Sequence, residues 1–361
     1  MPLRAIIDGV DVIAPLLDDE AWEALRKRVS DDDLRVVLPC CNVEGYLRKS
    51  KYGTKHFAHK QGAECVSKGE TLEHLRAKAD IVLACQSAGY HALTEVIGDD
   101  WRADVLAARG SARIAFEVQW SFLRLRDALM RQRRYERDHV RGCWFFRRPP
   151  APLHRDGFDG ALELQARREL PLFHLYVNAD GSFSVALNNR LHRLREFVTA
   201  LLSWRVRFCE MARSETTRLR LHFREMHCPA CGQRAHVYAV DATQTAACGI
   251  RFKAGDEASY RFHPDVRAAV AAYRVSEVGR ELRMGTIKPR PDAQTGIVAF
   301  SFGCPACDEK LDPEALSVSP ASWANDAGLD TTDVTLREPA SGTVAHWCCP
   351  GDGDFCCGRE P

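Results

Sequence analysis

Apolar residues recur at helical spacing in a few stretches of this chain and alternate with polar ones in several others. Leu72, Leu75, Ala79 and Val82 share one helical face. They follow Ser67-Lys68-Gly69-Glu70, which has the S-x-x-E spacing of a capping box, so Glu70 reads as a helix cap. Glu73, His74 and Lys78 lie beside the apolar stripe. His91 to Ile97 and Trp101 to Ala107 read as strands joined by the turn Gly98-Asp99-Asp100, and Arg109-Gly110-Ser111 leads into a third, Arg113 to Trp120. From Ser121 to His139 the period is helical again, through Phe122, Leu125, Leu129 and Gln132, and Cys143-Trp144-Phe145-Phe146 is a short apolar strand. The predicted order is helix, strand, strand, strand, helix, strand, an α/β arrangement.

Either side of this core the pattern is less regular. Residues 1 to 38 mix short apolar runs with a helix candidate around Ala21 to Val29. Beyond Pro149-Pro150 a polar linker leads to a hairpin, Leu172 to Val177 and Ser182 to Leu187, whose Asp180-Gly181 pair favours a tight turn. Leu191 to Phe223 reads as one long amphipathic helix. Five segments follow: 1–66 with a knuckle-like motif, the core at 67–150, the hairpin and long helix at 151–226, a split ribbon with an insertion at 227–312, and an acidic, cysteine-rich tail at 313–361.

Of the 361 residues, 45% are hydrophobic and 27% charged, with a mean hydropathy of -0.30, the profile of a soluble globular chain. No apolar run reaches the roughly 18 residues of a membrane helix, and the acidic start does not suit a signal peptide, so a cytoplasmic protein with no membrane partner is expected. The formal net charge of +1 hides two opposed regions. Ser121 to Arg148 holds nine arginines against three acids, whereas Asp308 to Pro361 holds 11 acids against three basic residues. A basic middle suits a polyanion.

Fifteen cysteines, an odd count, fit incomplete disulfide pairing or metal binding better than full pairing. Cys228-Pro229-Ala230-Cys231 and Cys304-Pro305-Ala306-Cys307 have the C-x-x-C turn that directs two thiolates at one Zn²⁺, and together make a four-thiolate site. Cys40-Cys41, His56, His59 and Cys65 form a second knuckle, with Cys41, His59 and Cys65 as candidate ligands. His346 with Cys348-Cys349 and Cys356-Cys357 reads as a further zinc site or as a frayed end. Cys85, Cys143 and Cys209 sit in apolar runs and read as core.

In the third strand Ala115, Glu117 and Gln119 share one face, and Asp104 is a carboxylate in the apolar strand beside it. Two carboxylates on adjacent strands suit one hard cation. Taken as residues alone, they are equally open to being strand-end acids satisfied by Arg102 or Arg113. Four runs in order carry a resemblance: Gly53-Thr54-Lys55-His56-Phe57-Ala58-His59, Glu70-x-x-Glu73-His74-x-x-x-Lys78, Arg102-Ala103-Asp104-Val105, and Ala115-Phe116-Glu117-Val118-Gln119-Trp120-Ser121. Over roughly residues 38 to 148 the chain resembles the competence protein CoiA-like family, a branch of the PD-(D/E)XK nuclease superfamily.

The resemblance implies a PD-(D/E)XK nuclease core, a mixed sheet flanked by helices, with small zinc-binding modules on both sides. It implies Asp104 and Glu117 as ligands of a catalytic Mg²⁺ or Mn²⁺, Glu73 as the helix carboxylate, and Gln119 where the superfamily usually has Lys. Lys78, Arg131, Arg134 and Tyr135 are then the contacts to nucleic acid. The expected function is metal-dependent DNA cleavage directed at incoming or foreign DNA. The alternative is a DNA-binding scaffold of weak or no activity working through its zinc modules. The ribbon and the acidic tail also suit a protein partner.

Overall fold

The computed structural model describes residues 2–60, 65, 70–148, 150, 167–188, 190–254, 257–291, 298–311, 331–337, 342–349, 355 and 357. The chain divides into two compact units: Met1–Glu210 with Ala345–Pro361, and Met211–Val344. Ser67 to Gly69, Cys356, and much of the linker and acidic tail lie outside the described residues.

The first unit opens with β1 (Arg4–Ile7), β2 (Val10–Ile13), β3 (Val36–Leu38), β4 (Val43–Lys49) and β5 (Lys55–His59), in the sheet order β2-β1-β3-β4-β5. Helix α1 (Asp19–Asp31) starts where the Asp18 carboxylate accepts the Ala21 amide at 2.7 Å. It buries Trp22 against Phe57, ring centres 5.5 Å apart, at the centre of a small core.

The core of the unit runs α2 (Leu72–Ser87), β6 (His91–Ile97), β7 (Arg102–Arg109), β8 (Ala112–Gln119), α3 (Leu125–Arg137) and β9 (Arg141–Phe146), the order the apolar periodicity predicts. It continues into β10 (Leu172–Val177), β11 (Phe183–Leu187), β12 (Arg190–Arg193) and α4 (Leu194–Leu202). Seven strands form one mixed sheet, β12-β11-β10-β9-β8-β7-β6, with β8, β9 and β10 parallel and the other pairs antiparallel. Alternation decides what each face covers. Phe116 and Val118 of β8 join Ile81, Val82 and Phe197 in the core beneath α2 and α4, while Ala115 joins Trp144 and Tyr135 beneath α3. Trp144 is fully buried, so Trp144→Ala would cost about 3–5 kcal/mol through lost contact and the cavity left behind.

The helix expected over 191–223 ends at Leu202. Trp204 takes a left-handed φ of 61°, and β13 (Arg207–His227) follows as a strand of 21 residues. Its alternation explains why: Leu219, Leu221 and Phe223 are buried while Arg218 and Arg220 are exposed, a period of two that a helix cannot satisfy. In the second unit β13 pairs with β14 (Arg234–Ala246) on one side and with Thr331–Arg337 on the other. Val237, Tyr238, Val240 and Phe302 complete its core. Among the described residues, no helix is long and apolar enough to cross a membrane.

Candidate active site

Helix α2 begins one residue after Thr71, whose hydroxyl accepts the His74 amide at 3.2 Å. Thr71 is therefore the cap, and Glu70, expected in that role, stands just before the helix and turns inward. His74 and Lys78, four residues apart, share one face of α2, and Glu70 just before the helix turns back toward both. His74 Nδ1 lies 3.3 Å from Glu70 Oε1, and its Nε2 lies 3.4 Å from Asp104 Oδ2 on β7. The three ligand atoms fall within 4.8 Å of one another, as a metal-binding group requires.

Lys78 is 1% exposed, and its Nζ donates to Glu70 Oε1 at 2.6 Å and to Glu95 Oε1 at 2.5 Å. Burial works against its charge, but Glu95, Asp104 and Glu70 outweigh burial and raise its pKa. Glu95 is itself buried and takes a left-handed φ of 51° on β6, between the regular pairs Thr94↔Val105 and Val96↔Ala103. Its Oε2 is buried without a hydrogen-bond partner. One ammonium thus faces three carboxylates, and a divalent cation on Glu70, His74 and Asp104 would offset the excess negative charge. Two carboxylates and an imidazole are a mixed donor set for a divalent cation, the carboxylate oxygens favouring hard ions and the imidazole later transition metals.

Asp104 and Glu117 lie on adjacent strands but in different surroundings. Burial would raise Asp104, yet the His74 hydrogen bond, the Lys78 charge and the Val118 amide, which donates at 2.9 Å, hold it down at about 2. Glu117 points toward α3. Its Oε2 accepts from Arg131 at 2.6 Å and its Oε1 from the Tyr135 hydroxyl. Burial and the Asp104 charge nevertheless outweigh Arg131 and Tyr135 and push it up to about 8.

Residues 70–154, which hold all of these carboxylates, match the family model described as competence protein CoiA, nuclease-like domain. This segment belongs to the CoiA-like family. No curated protein and no solved structure matches the chain significantly.

Several residues expected in the CoiA-like site stand elsewhere. Glu73 is exposed, because one step along a helix turns about 100° away from the face that carries His74. Gln119 donates to Ser121 O at 2.8 Å and is not among the clustered ligands. Lys78 and Tyr135 are buried and hold carboxylates rather than facing outward, and the Tyr135 hydroxyl also lies 2.7 Å from Arg102 O. Arg131 is committed to Glu117, and Arg134 lies on the exposed surface, donating to Asp100 O at 3.1 Å. His74 was quoted in the family motif but not counted as a ligand; its four-residue spacing from Glu70 and Lys78 was the signal.

Around the CoiA-like domain, the cysteines gather as their spacing requires. Cys40, Cys41, His59 and Cys65 bring their ligand atoms within 4.8 Å, so both adjacent cysteines belong to the group and not Cys41 alone. The turn after β3 makes this possible: the Cys41 and Asn42 amides both donate to Leu38 O, and Asn42 takes a left-handed φ of 55°. At Gly45, opposite His59 on β5, a Cβ would lie 2.7 Å from Ala58 O, so only glycine lets these strands approach so closely. In the second unit Cys228, Cys231, Cys304 and Cys307 converge through two matching turns. Cys228 and Cys304 each donate to the carbonyl five residues on and accept from the amide four residues on, where Gly232 and Asp308 are left-handed. These clusters suit tetrahedral Zn²⁺. In the tail, Cys357 Sγ lies 3.6 Å from His346 Nε2, and Cys348 is within ligand distance of both.

Proposed function

We propose that the CoiA-like domain is a divalent-metal-dependent DNA endonuclease that hydrolyses phosphodiester bonds in incoming or foreign DNA, in the cytoplasm. The convergence of Glu70, His74 and Asp104 inside a nuclease-like domain carries this reading. Those three residues would hold Mg²⁺ or Mn²⁺, and the bound ion supplies neutralisation of phosphate charge and acidification of a water. Asp104 remains an anion at any physiological pH. Lys78 fixes Glu70 and offsets part of the pocket's charge. Glu117 keeps a proton until near neutral pH, which suits it to proton exchange beside the site. Gln119 supplies no charge, so turnover is modest. The Cys and His clusters hold Zn²⁺ in a structural role, and the ribbon with the acidic tail serves a protein partner.

One observation favours a second reading, a DNA-binding scaffold of little or no activity: both oxygens of Glu117 are tied to Arg131 and Tyr135, and Gln119 is turned to Ser121. Cleavage of labelled single-stranded and double-stranded DNA with Mn²⁺, Mg²⁺ or EDTA separates the two. The nuclease reading expects metal-dependent scission that is lost in Asp104→Ala at unchanged zinc content. DNA binding without scission in any metal would favour the scaffold.

A further inference from the structure

The cations expected to meet nucleic acid are committed within the protein. Lys78 is shared by Glu70 and Glu95, Arg131 holds Glu117, and Arg134 and Arg137 hold Asp100. None of these cations is therefore free to seat a phosphate beside the metal ligands.

Arg147 fills that gap. It follows β9 directly, is exposed, and forms no ion pair among the described residues. Its backbone is pinned on both sides: the amide donates to Gln119 O at 3.1 Å, and His174 Nε2 lies 3.2 Å from its carbonyl oxygen. Its guanidinium carbon lies 4.8 Å from the centre of the Trp120 ring. The Trp120 ring in turn stacks on the imidazole of His74, centres 6.1 Å apart and planes 11° from parallel. Phe183 meets Trp120 edge-on, centres 6.5 Å apart, which limits movement of the indole. A guanidinium on an aromatic face keeps its N–H groups free at the edges, so stacking orients the cation without consuming its hydrogen bonds.

We propose that Arg147, seated on Trp120, is the substrate-positioning cation of this site and binds the phosphate oxygens of a nucleic-acid backbone next to His74 and Asp104. This rests on the nuclease reading above. It places the phosphate contact at the end of β9 and not on the outer face of α3. Trp120 is a shared support that orients a metal ligand on the one hand and the phosphate ligand on the other.

The test compares Arg147→Gln, Arg147→Lys and Arg133→Gln, the last an exposed arginine on α3, in the full chain. Mn²⁺ binding serves as the folding control, and affinity for DNA is measured across a salt series. In Arg147→Gln, Mn²⁺ binding is retained and cleavage falls about tenfold. The slope of log affinity against log salt becomes shallower by about 0.9 on duplex, or about 0.7 on single strands, the signature of one lost phosphate contact. Arg147→Lys keeps the slope but binds more weakly, because an ammonium cannot make the two-pronged contact. Arg133→Gln changes the slope less than Arg147→Gln. Wild-type cleavage with an unchanged slope in Arg147→Gln would overturn this assignment and leave the nuclease reading standing. Absence of salt-dependent DNA binding and cleavage in the wild type would overturn both.

Discussion

Asp104 and Glu117 lie on neighbouring strands of one sheet, yet the two sides of that sheet treat a carboxylate in opposite ways. Toward α2, Asp104 meets an imidazole, a buried ammonium and a backbone amide, and stays ionised down to about 2. Toward α3, Glu117 is closed in by Trp144, Tyr135 and Ala115, and holds its proton up to about 8 despite Arg131. Under the proposed nuclease function, two carboxylates with their proton affinities driven apart would divide the work: Asp104 would hold the cation and Glu117 would exchange a proton. The surroundings and not the residue type assign the roles.

The strongest way to break this contrast is Asp104→Asn, which keeps the shape and removes the charge. Metal-dependent cleavage should fall on the order of a thousandfold with the fold retained, read by nuclease assay beside thermal melting. Next is Glu117→Gln. Because the folded protein binds the Glu117 proton more tightly than the unfolded chain, whose carboxyl has its ordinary value of 4.5, stability falls as pH rises from about 4.5 to about 8. Glu117→Gln should remove that decline, on the order of a few kcal/mol, in melts between pH 5 and 9. Asp104 contributes with the opposite sign: its stabilisation is full above its ordinary 3.8 and is lost as pH falls toward 2, so Asp104→Asn should flatten the acid limb. The smallest effect is expected from Tyr135→Phe. It keeps the ring packed against Trp101 and Trp144 but removes the bonds to Glu117 and Arg102, costing about 1–2 kcal/mol in denaturant unfolding.

The core elements were legible because their periods are unambiguous: β6, β7 and β8 alternate, α2 and α3 do not, and Asp180-Gly181 marks the hairpin. The long helix was misread because Leu194–Leu202 is helical and the residues beyond it can also be aligned at helical spacing. Only the switch to a period of two around Leu219, Leu221 and Phe223 reveals the strand. At the site, Asp104 and Glu117 stood out as charges in apolar strands. Glu70 was mistaken for a cap because its distance from Ser67 imitates a capping box, whereas Thr71 does the capping. Glu73 is the helix carboxylate that the family resemblance implies, and it lies about 100° around α2 from His74, exposed. The commitments of Lys78 and Tyr135 to buried carboxylates depend on contacts across 17 and 18 positions of chain, which local spacing does not encode.

The most direct test of the site is therefore the pair Glu70→Gln and Glu73→Gln, each assayed for Mn²⁺ binding and Mn²⁺-dependent DNA cleavage at matched zinc content. A site built on Glu70, His74 and Asp104 requires that Glu70→Gln lose both while Glu73→Gln keeps both. Loss in Glu73→Gln with full retention in Glu70→Gln would contradict it.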